Sequence, residues 1–118
     1  MLSLKVDIET NRQAVIVRLK GELDHHTASM VKQKMEEALD RENSCHIILS
    51  LKDLKFMDSS GLGVIIGRYK QVKDKGGKMV VCDINPQIYR LFEMSGLFKI
   101  LNIEQNESNA LSSLGVVS

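Results

Sequence analysis

Three aspartates, Asp24, Asp58 and Asp83, each stand just beyond a short apolar run in a chain of 118 residues. Carboxylates gathered at one sheet edge can hold Mg²⁺, take up a phosphoryl group or assist a hydrolysis. Such convergence needs parallel strands, because ligands of open α/β sheets lie beyond the carboxyl ends of the strands. Each acid also has a plainer use, since Asp is among the favoured residues for capping a helix. Taken one at a time, capping is the stronger reading.

Asp58 opens the densest stretch, Asp58-Ser59-Ser60-Gly61-Leu62-Gly63, with a third glycine at Gly67. With Asp58 as the N-cap, Met57 and Leu62 occupy the two positions of a hydrophobic staple. With Ser59 as the cap, those positions would fall on Asp58 and Gly63, and the staple would be lost. The spacing therefore predicts Asp58 as the cap and leaves the Ser59 hydroxyl free at the first helical position. A phosphate there would meet unpaired N–H groups at the positive end of the helix dipole. The plain alternative, that Ser59 and Ser60 are polar residues at a helix start, is the better one from spacing alone. A glycine inside a helix costs about 1 kcal/mol relative to alanine. Gly63 and Gly67, one turn apart, thus point either to tight packing within the domain or to a partner that comes close, with Leu62 beside it.

Several catalytic arrangements are missing. Ile66 stands where G-x-G-x-x-G needs its last glycine, no Gly-Lys-Ser/Thr follows, and Ser59 lacks a G-x-S-x-G turn. His25 and His26 could orient a nucleophile only if their loop folds over the following helix; otherwise they are exposed residues leading into a helix. Cys45 and Cys82 read as buried free thiols of a reducing compartment. Neither cofactor nor metal is expected, and no catalytic residue is assigned.

These residues hang on a legible alternation of elements. Residues 4–9 alternate apolar and polar as a half-buried strand does, and residues 14–20 form a second strand after the polar connection 10–13. A helix at about 28–40 follows, with Ala28, Val31, Met35, Ala38 and Leu39 on one face. Residues 47–51 form a third strand, and a helix at 59–74 carries a stripe of Leu62, Ile65, Ile66, Tyr69 and Val72. Residues 78–82 form a fourth, central strand. Asn85-Pro86 starts a helix that buries Ile88, Leu91 and Phe92 and stops at Gly96. A last strand at 100–103 and a short helix at 107–114, with Ala110, Leu111 and Leu114 inward, complete the chain. The expected fold is α/β: one domain over residues 1–118, a small, mixed, mostly parallel sheet of about five strands, and about four helices.

The composition limits the partners. Sixteen basic residues against 15 acidic leave a formal charge of +1, so no field draws in nucleic acid. Charged residues interrupt the first apolar positions, no run spans a bilayer, and the expectation is a cytoplasmic protein with no membrane partner.

Three segments carry a resemblance that covers essentially the whole chain: residues 21–28 (GELDHHTA), 56–70 (FMDSSGLGVIIGRYK) and 94–100 (MSGLFKI). They resemble the anti-sigma factor antagonists of spore-forming bacteria, above all those that act on the anti-sigma-F factor at sporulation, within the STAS domain family. The resemblance implies the same α/β fold and a non-enzymatic binding module. It also implies that the serine after the aspartate, Ser59, is phosphorylated by the anti-sigma factor, itself a serine kinase with bound adenine nucleotide. A protein serine phosphatase reverses this. The unphosphorylated form binds the kinase and releases the sigma factor. Asp24 matches the family's acid near the partner, and Ser60, Leu62 and Gly63 are expected to lie in the same contact.

A different chemistry, with Asp24, Asp58 and Asp83 as a Mg²⁺-dependent phosphoryl-aspartate receiver or a small phosphohydrolase, lacks the adjacent acidic pair and the lysine a receiver needs. Phosphate bound to the protein separates the two. Acid-stable label is expected for phosphoserine, and acid-labile label would favour the aspartates.

Overall fold

The computed structural model describes residues 4–11, 14–41 and 45–116. In chain order the elements are β1 (Leu4–Asn11), β2 (Ala14–Leu23), α1 (Ala28–Arg41), β3 (His46–Met57), α2 (Ser59–Asp74), β4 (Met79–Cys82), α3 (Pro86–Ser95), a 3₁₀ turn (Leu97–Lys99), β5 (Asn102–Glu104) and α4 (Glu107–Ser113). The strands lie in the order β1-β2-β3-β4-β5, with β1 antiparallel to β2 and every other pair parallel. This is the mixed, mostly parallel α/β sheet that the alternation of patterns predicts.

Each of the three parallel connections steps to the next strand in the same direction. Right-handed crossovers therefore put α1, α2 and α3 on one face of the sheet. There Val15, Val17 and Leu19 of β2 and Ile47, Leu49 and Leu51 of β3 meet Met35, Ile65 and Phe92 from the three helices. The intervening side chains, Ala14, Ile16, Ile48 and Val80, point to the opposite face and are covered by Ala110 and Leu111 of α4. Strands buried on both sides read as continuous apolar runs, as residues 14–17 and 47–49 do. A bidentate pair locks α4 down: Arg18 donates through Nε to Glu107 Oε2 at 2.7 Å and through Nη2 to Oε1 at 2.9 Å. Asp7 and Glu9 of β1 also pair with Arg18. The bonds to Glu107 first, then those to Asp7 and Glu9, raise the pKa of this guanidinium despite its burial.

Several boundaries differ from the pattern, each for a physical reason. β3 does not stop at residue 51 but runs to Met57. Its second half pairs with β2 alone, through Lys20↔Asp53, Gly21↔Leu54, Glu22↔Phe56 and Leu23↔Met57. Lys52, Asp53, Lys55 and Phe56 are exposed there, and the apolar signal is correspondingly broken. β2 likewise continues past Lys20 through Gly21, whose φ of 117° suits only glycine, and the pairing with β3 shifts register beside it. Thr10 and Asn11 extend β1 instead of joining the connection, and Arg12 and Gln13 lie outside the described residues. In the polar run 41–44, Arg41 ends α1 and the rest falls outside them too. The 3₁₀ turn takes up the start of the expected last strand, so β5 begins only at Asn102.

α2 is rotated relative to the expected stripe. Gly61, Val64, Ile65, Arg68 and Val72 are buried, while Leu62, Ile66 and Tyr69 are only half-buried. Arg68 lies between α1 and α2, donating to the Lys32 carbonyl at 3.4 Å and pairing with Glu36 at 3.3 Å. Its burial lowers the pKa against the opposing pull of Glu36. Gly61 packs where no side chain fits: a Cβ would stand 2.5 Å from Met57 Cγ and 2.9 Å from Leu23 Cγ. At Gly77 a Cβ would overlap the main-chain carbonyl of Cys45.

Gly61→Ala should therefore lower the urea unfolding midpoint. Overpacking costs about 1–3 kcal/mol and the gain in helix propensity returns only about 1 kcal/mol. Gly77→Ala should cost more, because main chain must move there and not a side chain.

Candidate functional site

Asp58 stands at the junction of β3 and α2, and each of its polar groups faces a partner. Its carboxylate Oδ1 accepts from the Ser60 N–H at 2.8 Å, which makes it the N-cap of α2. Its Oδ2 accepts from the His25 main-chain N–H at 3.2 Å. Its own N–H donates to the Leu23 carbonyl at 3.2 Å, and its carbonyl accepts from the Gly61 N–H at 3.0 Å. The cap thus also ties the β2–α1 turn to the start of α2.

The expected site residues fall on two neighbouring segments of that junction. Ser59 is exposed at the first position of α2, and no hydrogen bond among the described residues engages its hydroxyl. Ser60 is half-buried, with its N–H given to Asp58. Leu62 is half-buried against the edge of the core, and Gly63 is exposed. A Cβ at Gly63 or at Gly67 would meet no atom within 4 Å. Packing inside the domain therefore accounts for Gly61 and for neither of the other two. No acid lies in the first turn of α2.

Asp24 shapes the β2–α1 turn. Its Oδ1 accepts from the N–H groups of His26 at 2.9 Å and Thr27 at 3.1 Å, while its own N–H donates to the Thr27 hydroxyl at 3.0 Å. Desolvation pushes its pKa up, but these N–H groups and the Thr27 hydroxyl outweigh it, and the carboxyl lies below its usual value. His25 and His26 are exposed and their rings lie 3.9 Å apart. Their turn does fold against the start of α2, as a nucleophile-orienting role would need, but through main chain: His25 Nδ1 stays 3.7 Å from Asp58.

Asp83 does not join the other two acids. It accepts from the Ser50 hydroxyl at 3.4 Å, and Ser50 pairs with Cys82 near the middle of β3. Asp58 stands eight residues beyond Ser50, a stagger of roughly 25 Å along the strand at about 3.3 Å per residue. The long second half of β3, absent from the sequence pattern, is what separates them. Among the described residues no three or more His, Cys, Asp and Glu gather as metal ligands. Cys82 beside Asp83 is a buried free thiol, its pKa pushed up to about 12 first by burial and then by Asp83, whereas Cys45 is only half-buried.

One feature of this surface does not follow from the sequence pattern. An open groove between the end of β3 and α3 adjoins Met57, lined by Phe56, Ile88, Leu91 and Met94 with Lys55 and Arg90 at its rim. Phe56 is 47% and Met94 79% exposed, far more than their apolar side chains would suggest. α3 is held there by its own cap residue, since Asn85 Nδ2 donates to the Leu54 carbonyl in the extended part of β3. Without that extension the sequence offers no reason to place α3 beside residues 54–57.

Comparison with known proteins agrees with the fold. The STAS domain profile matches residues 5–110. The chain belongs to the STAS domain family. It is 59% identical over 117 residues to an anti-sigma F factor antagonist of Paenibacillus polymyxa, covering 99% of this chain and 100% of that one. This STAS domain also superposes on the anti-sigma factor antagonist SpoIIAA in its unphosphorylated form with a TM-score of 0.74, at 26% identity over 98% of this chain and 100% of that one. The phosphorylated form of the Bacillus cell fate determinant SpoIIAA gives a TM-score of 0.73 at 30% identity, over 92% and 98% of the two chains. No helix among the described residues of this STAS domain is long and apolar enough to cross a membrane.

Two measurements check the site geometry. Gly63→Ala should stabilise the free protein by about 0.5–1 kcal/mol, the helix-propensity difference with no clash to oppose it, read as a higher urea midpoint. The lowered pKa of Asp24 means that its contribution to the turn is complete above the ordinary value of 3.8 and is lost as pH falls through the lower folded value. The amide resonances of His26 and Thr27 should hold their positions down to that range and move only below it.

Proposed function

We propose that this chain is an anti-sigma factor antagonist: with Ser59 unmodified it binds an anti-sigma factor that is also a serine kinase, and so frees the sigma factor. Phosphorylation of Ser59 by that kinase, which carries bound adenine nucleotide, ends the binding, and a protein serine phosphatase restores it. The chain is a binding module and kinase substrate with no reaction of its own. The observation that carries this reading is the exposed Ser59, whose hydroxyl makes no hydrogen bond among the described residues, at a helix start whose cap is already supplied by Asp58.

The surroundings support it. A kinase must reach the hydroxyl with its nucleotide, and Gly63 and Gly67 keep the flank of α2 clear of side chains at a cost in helix stability. Half-buried Leu62 supplies an apolar contact beside Ser59, and Asp24 lies on the neighbouring turn. Phosphorylation adds about −1.5 to −2 charge. At the open start of α2 that charge lies at the positive end of the dipole and is tolerated by the fold. Inside an interface it must be desolvated and faces the partner's nucleotide phosphates, so it acts against binding and leaves the fold alone. In keeping with this, the unphosphorylated and phosphorylated forms of SpoIIAA match this fold almost equally, at 0.74 and 0.73. The Mg²⁺-dependent reading needs Asp83 beside Asp24 and Asp58, and the stagger of the strands works against it.

Incubation with an anti-sigma serine kinase and ATP, followed by mapping of the phosphosite, should place the phosphate on Ser59. Amide spectra of the two forms should differ only around the start of α2, and widespread shifts would count against a switch confined to the interface. Ser59→Ala should bind the kinase as tightly as the unmodified protein and should not be switched off by ATP. Loss of binding in that variant would make Ser59 a structural residue.

A further inference from the structure

Asp58 does more than cap α2. Its two carboxylate oxygens serve two different segments: Oδ1 takes the Ser60 N–H of α2 at 2.8 Å, and Oδ2 takes the His25 N–H of the β2–α1 turn at 3.2 Å. The turn so held is the one whose next two N–H groups are fixed by Asp24. We propose that Asp58 is a positioning residue that clasps this turn to the start of α2, so that Asp24 and Ser59 are presented to a protein partner as one preformed surface. The partner half of this proposal rests on the reading of Ser59 given above.

Capping alone does not call for a carboxylate. Asn and Ser cap helices about as well as Asp, each with a single acceptor oxygen. The clasp does need one, because a second acceptor must face the His25 N–H while the first stays on Ser60. In Asp58→Asn the amide oxygen retains the shorter cap bond, and its NH₂ is left facing the His25 N–H, donor against donor. In Asp58→Ser the single hydroxyl reaches one partner only. The link runs through main chain and not through the imidazole. His25 Nδ1 lies 3.7 Å from Oδ2, beyond hydrogen-bond distance, and the ring is 69% exposed. The end of β2 stays in place without the clasp, because the Asp58 N–H to Leu23 carbonyl bond involves no side chain. What is released is the turn that carries Asp24. A surface ordered before contact spares the partner the cost of ordering it.

The test compares the wild-type protein with Asp58→Asn, Asp58→Ser and His25→Ala. Amide hydrogen exchange on the free proteins should show His25 exchanging at least about tenfold faster in both Asp58 variants, the size of losing one hydrogen bond to a charged acceptor. Ser60 protection should be unchanged, the urea midpoint should fall by no more than the loss of that one bond, and His25→Ala should match the wild type. With an anti-sigma serine kinase and ATP, both Asp58 variants should show KM raised about tenfold with kcat within twofold, and His25→Ala should not. Unchanged His25 protection in both Asp58 variants, an unchanged KM despite lost protection, or a raised KM in His25→Ala would each overturn the clasp. A wild-type protein that accepts no phosphate would instead overturn the Ser59 reading. The exchange comparison, which needs no partner, would still decide whether the clasp exists.

Discussion

The site depends on the pairing of Lys20, Gly21, Glu22 and Leu23 with Asp53, Leu54, Phe56 and Met57 at the far end of the sheet. This stretch of β3 has no β4 beside it, since β4 pairs only with Ile47 to Ser50. It therefore projects two turns, one ending β2 and one ending β3, past the rest of the strand ends. The buried residues Leu23, Leu54 and Met57 hold it to the core, while Lys55 and Phe56 face outward. Asp58 then closes the junction with hydrogen bonds to both sides. Every residue proposed to meet a partner lies within a few positions of that pairing.

The glycines of α2 divide according to what stands opposite them. Gly61 faces Leu23 and Met57, so the helix can sit close over the strand ends only if that position lacks a side chain. At Gly63 and Gly67 a Cβ would meet nothing within 4 Å among the described residues. The fold alone would be better served by alanine at both, because helical glycine loses conformational entropy and makes no contact in return. That cost, carried where no internal packing needs it, is in keeping with the partner contact proposed for this face. The exposed Ser59 and half-buried Leu62 complete the same face.

The back of the sheet shows the opposite economy. Three crossovers stepping the same way leave one face without a crossover helix, and seven-residue α4 covers it with two buried side chains, Ala110 and Leu111. So small an apolar contact is reinforced by the bidentate pair between Arg18 and Glu107, which brings β1, β2 and α4 together on the side of the sheet away from Ser59. The pair thus lies on the other side of the sheet from the surface proposed to meet a partner.

The caps, the turn glycines and the alternation of strands and helices were legible in the sequence because each depends on neighbours within about four residues. Asp58 as the cap is the clearest case, since the staple spacing alone chose it over Ser59. The rotation of α2, the burial of Arg68 and the groove beside Phe56 were not legible, because they depend on which helix lies across from which. The separation of Asp83 from Asp24 and Asp58 was decided only by the tertiary structure. Sequence alone determined that three acids follow three strands, since that is a local pattern. Which of them meet depends on how far each strand runs past its neighbour. That stagger is set by strand pairing between residues some thirty positions apart, such as Glu22 opposite Phe56 and Ser50 opposite Cys82.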